Sequence, residues 1–541
     1  MTVKRTRKLI FGLPILAMFL LLLVGCGGSP AGQAGQSAPA KVDEKAAAAK
    51  SNVDEKGRFI NAVPLEIMAT VRSSELAPPG PDWVVAKAMK DQLNIDPKMT
   101  WVTQSGEFDR LVLTRGAAND LPDVFLCSAN LALNLGNQGL LADWTPYLQF
   151  MPTFVKEREV ERLKPIGTYD GKLLALVTKS PDPYKQSVAI RKDWLDKLGL
   201  QTPKTLDEFL AVMKAFTEKD PDGNGQKDTF GWSAATDTTG QLLRFEPIFG
   251  AFGALADPGL PWRIENNKLV FVPTTPERLE ALKFINRMNQ EGVVDPDWKT
   301  QKDSDFRNKW KSGKIGIIYE DWCAGFCSGN YDPFANANPT GRLVDIEPPV
   351  GPGGKSAISW WNRTGNRYCM SQRAADQGKG EAIARLMEWI NGPGYLLTIH
   401  GVEGQMWKRE GGKIVVDQSN DFRIVRALSA WAAKGSDEEL RARYDQTTTF
   451  KNGQTIPIWD VLERAQKNPK VDITDLAVLP PAPAEVGADL ARLRAEAELQ
   501  FVTGQRPFSE WDKYVQSLKA AGLDTWQAEA EKRAKEAGLL K

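Results

Sequence analysis

A chain of 541 residues with 69 Lys and Arg against 68 Asp and Glu has a formal charge of +1 and a single histidine. The balance excludes the basic footprint of a nucleic-acid binder. His-type zinc sites, Ser-His-Asp triads and Cys-His pairs all lose their central residue unless His400 serves, and its setting, GYLLTIHGVEG, reads as structural.

The chain begins MTVKRTRK and continues as an apolar run over 9–25 that ends Leu23-Val24-Gly25-Cys26. A basic start, an apolar middle and small residues before a cut site describe a secretory signal. The run is also near the lower limit of a membrane span, so a retained anchor helix is the alternative. Leu-Val-Gly-Cys resembles the bacterial lipobox, which implies a diacylglyceryl group on Cys26 and further acylation such as palmitate. Two or more chains give stable attachment to the outer face of a membrane. Losing Lys4, Arg5, Arg7 and Lys8 with the signal takes the charge from +1 to −3. Residues 26–57 are rich in Gly, Ser, Ala, Pro and charge and read as a flexible tether. The remaining ~480 residues exceed a single compact core, so two lobes are expected.

Beyond the tether, 63–73 and 99–104 read as strands and 121–129 as a third, with helices over 83–93 and 110–118 between them. Such alternation predicts a parallel α/β lobe. YDGKLLALVTK (169–179) reads as a pair of short strands. In the helix that follows Thr205, a Glu three residues on completes a capping box, and Phe209, Met213 and Phe216 share one face. Residues 274–292 form another amphipathic helix with Pro276 in its first turn. A short apolar strand over 311–325 ends in Tyr-Glu-Asp-Trp, and helices follow at 380–391, at 485–499 and as a closing pair.

DPDGNGQKD (220–228) places Asp220, Asp222, Asn224, the Gln226 carbonyl and Asp228 at positions 1, 3, 5, 7 and 9 of an EF-hand-type loop, with Gly225 at 6. Oxygen donors at that spacing suit calcium, held structurally. Position 12 is Gly231 rather than a bidentate Glu, so further ligands would come from Thr229, water or a distant carboxylate. A bare polar turn is the competing reading. Cys127, Cys323, Cys327 and Cys369 match neither a zinc knuckle nor C-x-x-C, and read as isolated thiols, although an exported chain could hold a bridge.

The loop follows IRKDWLDKLGL and KTLDEFLAVMKAF. With LPDVFL, GLLADWTPYL, QEGVVDPDW, GKIGIIYEDW and the terminal GQRPFSEWDKYVQSLKAAGLD, it resembles the extracellular solute-binding proteins of sugar ABC importers (family 1). The likeness is greatest to oligosaccharide- and alginate-binding members with a calcium loop. It implies a two-lobe α/β periplasmic-binding-protein-like fold (type II) with a ligand cleft. Crossings are expected near 175–187, 300–314 and 355–366. Lobe 1 would be 58–178 plus 312–358, and lobe 2 would be 185–305 plus 362–541. The implied protein is a lipid-anchored monomer that captures a carbohydrate for a membrane permease and performs no catalysis.

Tryptophan outnumbers tyrosine 17 to 9, and flat indole faces suit pyranose rings. Trp194, Trp389, Trp511 and Trp526 fall within helices and read as core. Trp322, Trp360, Trp361, Trp232 and Trp407 fall in loops or at strand ends and are candidate ligand platforms. Glu320, Asp321, Arg363 and Arg72 are candidate partners for sugar hydroxyls. The rival readings are a lipid-anchored glycoside hydrolase, which needs two carboxylates flanking a cleft, and a binding protein for a non-sugar solute.

Overall fold

The structure is a computed structural model. It describes residues 52–541 except 71–77, 103–104, 180–185, 237–240, 328, 359, 362–363, 412, 418–425, 433–439, 442–443 and 446. The signal, Cys26, the tether up to residue 51, Arg72 and Arg363 lie outside the described residues, as do the side chains of Trp360 and Trp361. Residues 52–541 form one compact unit, and among the described residues no helix is long and apolar enough to cross a membrane.

Two larger sheets organise it. Strands β1 (Val63–Thr70), β2 (Ile95–Val102), β3 (Val124–Cys127) and β4 (Leu176–Lys179) come from the first part of the chain. Strands β5 (Gln186–Arg191), β6 (Phe230–Trp232), β7 (Ile315–Asp321) and β8 (Leu343–Ile346) follow, and β9 (Thr364–Met370) returns. The first sheet has the order β2-β1-β3-β9-β4 and the second β8-β5-β7-β6. β1 runs parallel to β2 and β3, whereas β9 is antiparallel to both its neighbours.

Strand alternation explains the layers, since successive side chains leave opposite faces. Leu65, Ile67, Tyr368 and Met370 enter a core with the helices Val84–Leu93 and Gly380–Asn391. Met68, Phe125 and Cys369 enter another with Leu131 and Leu135. In the second sheet Val188, Ile190 and Ile317 meet Phe209, Met213 and Phe216 of the helix Leu206–Glu218. That helix carries its capping box, with Thr205 accepting from the Glu208 amide at 3.3 Å and the Glu208 carboxylate accepting from the Thr205 amide at 3.0 Å. The closing helices Trp511–Ala520 and Leu523–Glu536 complete this core.

The pairing corrects the expected division of the chain. β7 and β8 belong to the second sheet, so 312–358 lies with 186–305 and not with the first lobe. β9 belongs to the first sheet, and Ala427, Leu428 and Trp431 join its core, so 364–432 moves there from the second lobe. The chain passes between sheets after β4 and again between β8 and β9, near two of the expected crossings. The third, 300–314, stays within the second body, where the helix Asp303–Lys311 feeds β7. Periodicity shows that β7 is buried but not which sheet receives it. The cysteines are also paired. Cys127–Cys369 ties β3 to β9 with Cα atoms 6.4 Å apart, and Cys323–Cys327 spans 4.6 Å. Strand pairing brings together two cysteines that are 242 positions apart, so sequence spacing carries no sign of the bond.

Candidate functional site

β7 is buried along its length and ends at Asp321, opposite Gln186, the residue at which the chain enters β5 from the other sheet. The Asp321 carboxylate caps the next helix, Trp322–Phe326, accepting from the amides of Cys323 at 2.9 Å and Ala324 at 3.2 Å. A cavity of about 430 Å³ opens there, lined by Arg307, Lys311, Asp321, Trp322, Asn330 and Tyr444 among others. Trp322 meets Tyr444 edge to face, with ring centroids 5.0 Å apart.

Beneath it, Glu320 is 1% exposed and fully engaged. Arg307 donates to it from Nε at 2.8 Å and Nη2 at 3.1 Å, and Arg244 from Nη1 at 3.0 Å. Arg244 also pairs with Asp303. Hydrogen bonding to Glu320 holds the Arg307 guanidinium above its ordinary range. Lys311 is different: burial, then repulsion by Arg307, pushes its ammonium down. Among the described residues no carboxylate pairs with it, and its Nζ lies 5.5 Å from the Trp310 ring. The pocket thus combines an aromatic edge, an ammonium group with no ion-pair partner among the described residues, and hydrogen-bonding groups.

The sequence-predicted residues are only partly gathered here. Trp322 and Asp321 line the pocket, although Trp322 is just 2% exposed. Glu320 is a correction: it is buried, and both its oxygens accept from guanidinium groups, those of buried Arg244 and half-buried Arg307. Trp232 is a second, with 0% exposure in the core beneath the second sheet, where β6 packs on the helix Leu206–Glu218. Trp407 is a third, 5% exposed with its indole N–H donated to the Gly401 carbonyl at 2.9 Å and its ring near buried His400. The backbone of Trp360–Trp361 pairs with Val471 and Asp472, on the stretch that returns the chain toward β9. Sequence reasoning missed Arg307 and Lys311, whose spacing of four on one helix was a readable signal. For Asn330 and Tyr444 no such signal exists.

The 220–228 loop folds on itself. Asp220 accepts from the amides of Gly223 (3.0 Å), Asn224 (3.1 Å) and Gly225 (3.0 Å), and Gly225 has φ +77°, the sharp turn expected at its position. The Asn224 amide donates to Asp222 at 2.9 Å and Asp228 at 3.2 Å, so these two carboxylates converge on one point. Asp228 also pairs with Lys314 at 3.3 Å. The Asp220 carboxyl is held down by the Gly225 amide, whereas Asp222 is pushed up by burial and by the neighbouring carboxylates. Among the described residues no group of three or more His, Cys, Asp or Glu is gathered tightly enough to hold a metal ion. Thr229 is not an extra ligand, because it is buried and its hydroxyl donates to the Phe216 carbonyl at 2.8 Å. Gly231 departs from the EF-hand pattern for a packing reason: a Cβ there would lie 2.4 Å from Met213.

Residues 78–361, more than half of the chain, match the family described as bacterial extracellular solute-binding protein. Over 532 residues the chain is 24% identical to the polygalacturonan/rhamnogalacturonan-binding protein YtcQ of Bacillus subtilis (strain 168), covering 93% of this chain and 95% of that one. An HMO-binding, ABC-transporter-associated solute-binding protein of Bifidobacterium longum infantis superposes with a TM-score of 0.67 at 19% identity, covering 89% of this chain and 100% of that one. An EF-hand mutant of the ABC-transporter substrate-binding protein FusA from S. pneumoniae, in complex with fructo-nystose, superposes with a TM-score of 0.63 at 17% identity, covering 88% and 99%. The structural likenesses establish the two-lobe α/β architecture.

Proposed function

Because the chain belongs to the bacterial extracellular solute-binding proteins, we propose that it captures a carbohydrate, an oligosaccharide, outside the cell and hands it unaltered to an ABC permease. The observation that supports this reading is the pocket at the end of β7, where Trp322, Tyr444 and Lys311 meet beside Asp321, the residue paired with Gln186 at the start of β5. Trp360, Trp361, Arg72 and Arg363 remain proposed as further ligand contacts. Lobe closure over the sugar is the mechanism. Moving such an equilibrium from 1:99 to 99:1 takes about 5.5 kcal/mol of differential affinity. A micromolar ligand supplies about 8.2 kcal/mol in total, so both lobes need to contribute contacts.

The arrangement also weighs against hydrolysis by the adjacent carboxylates, since Glu320 neutralises two guanidinium groups and Asp321 caps a helix. The protein is taken to be a monomer tethered to the membrane through acylated Cys26, after removal of the signal peptide. A thermal-shift panel of oligosaccharides tests the reading. A true ligand present at roughly 100 times its Kd adds about 2.7 kcal/mol of stability. A panel in which no saccharide raises the melting temperature would remove the carbohydrate reading.

The 220–228 loop is assigned a structural calcium ion. Like-charge crowding at Asp222 and the convergence of Asp222 and Asp228 favour a cation there. Asp220, Asp222, Asn224, the Gln226 carbonyl and Asp228 would hold it, and the ion would brace the loop between the helix Leu206–Glu218 and β6. Chelation is expected to lower the melting temperature of the wild-type protein. Asp222→Asn should abolish that response while leaving the metal-free protein at least as stable, because it relieves the crowding. A melting temperature indifferent to chelator and to added calcium would leave the loop as a polar turn.

A further inference from the structure

The two disulfides differ in the length of chain they close. Cys127 and Cys369 are 242 positions apart and join β3 to β9, whereas Cys323 and Cys327 are 4 apart. In the chain-entropy account a bridge stabilises by restricting the unfolded chain, and that effect grows with the logarithm of loop length. The short bridge therefore contributes the smaller part of the stability, and its consequence is local. Cys323 lines the pocket at the end of β7.

The bridge spans the helix Trp322–Phe326, which has 5 residues with Gly325 among them. A helix that short has little stability of its own, and an internal glycine lowers it further. Its core side is anchored by Trp322 and Phe326, buried with Tyr331 and Trp459. The side that meets the pocket has no such anchor: Cys323 and Ala324 are half-buried and Asn330 is exposed, and all three line the cavity. Asn330 is instead tied to the two cysteines. Its Nδ2 donates to the Cys323 carbonyl at 3.3 Å, and its backbone amide donates to the Cys327 carbonyl at 3.1 Å. Residues four apart share a helix face, so the disulfide staples the face from which Asn330 is held.

We propose that Cys323 and Cys327 are positioning residues for ligand capture, their bridge fixing Asn330 and the exposed edge of this helix in the geometry that meets a sugar; this rests on the oligosaccharide reading of the same pocket. With one amide proton engaged on Cys323, Asn330 still has a second proton and its carbonyl oxygen to offer a hydroxyl. Without the bridge that edge must be ordered when the ligand binds, which lowers affinity.

Cys323→Ala combined with Cys327→Ala removes the bridge and leaves no thiol behind. Calorimetry with a saccharide that stabilises the wild type should show affinity weaker by roughly fivefold or more, and hydrogen exchange should rise over 322–331. Cys127→Ala with Cys369→Ala is the control: it should lower the melting temperature further, because its loop is longer, yet keep wild-type affinity. Dithiothreitol, a dithiol, gives a second route in that control protein. It passes two electrons and two protons to the remaining bridge, yielding two cysteine thiols and its own cyclic disulfide, and affinity should fall and then return on reoxidation. Wild-type affinity in C323A/C327A, unchanged exchange over 322–331, an equal loss of affinity in the control, or native Cys323 and Cys327 that alkylate without prior reduction would each overturn the proposal. A wild type that binds no saccharide is a different failure, that of the oligosaccharide reading, and it removes this proposal with it.

Discussion

Replacing Glu320 by Gln is expected to destabilise the second body by about 3–5 kcal/mol, the cost typical of breaking a buried ion pair from one side. Two guanidinium groups, Arg244 and Arg307, lose their shared counter-charge at once. Arg244 retains Asp303, and Arg307 retains a 3.4 Å contact with the same carboxylate, so neither is fully stranded. One carboxylate, Asp303, then serves two cations. Urea unfolding of E320Q beside wild type measures the effect. If Glu320 were instead a sugar ligand, as its place after a predicted strand suggested, the midpoint would hold and only affinity would fall.

The second large effect is expected at Trp322. Its position at the end of an expected strand reads from sequence as a ligand platform, and on that basis Trp322→Ala would weaken binding alone. The structure alters the forecast, because the ring is buried against Tyr444 and within a core shared with Phe326 and Trp459. Truncating a buried tryptophan typically costs about 3–5 kcal/mol, so W322A should lower the unfolding midpoint and also reduce oligosaccharide affinity by removing the pocket's aromatic wall. Trp322→Phe separates the two consequences, retaining most of the packing with a smaller face. Wild-type stability in W322A would mean that the ring is looser than its burial implies. Unchanged affinity in both variants would remove Trp322 from the ligand surface.

These two cases show where sequence reading reaches its limit. Local signals carried well: the capping box at Thr205 and Glu208 forms as expected, and Trp194, Trp389, Trp511 and Trp526 are core residues. The order of strands and helices was also enough to expect an α/β protein. What failed was long-range. Whether β7 pairs with β1 or β5 depends on partners more than a hundred residues away, and periodicity is the same in either sheet. Trp232 and Trp322 both follow apolar strands, yet one ends inside a core and the other beside a cavity. Strand-end position does not distinguish these cases.

The most direct test of the central claim is to titrate the protein with an oligosaccharide that stabilises it, then recover the sugar and measure its chain length. Capture between two bodies predicts one saturable binding event and ligand returned at its original length with no new reducing ends. Shortened products accumulating with turnover would contradict it.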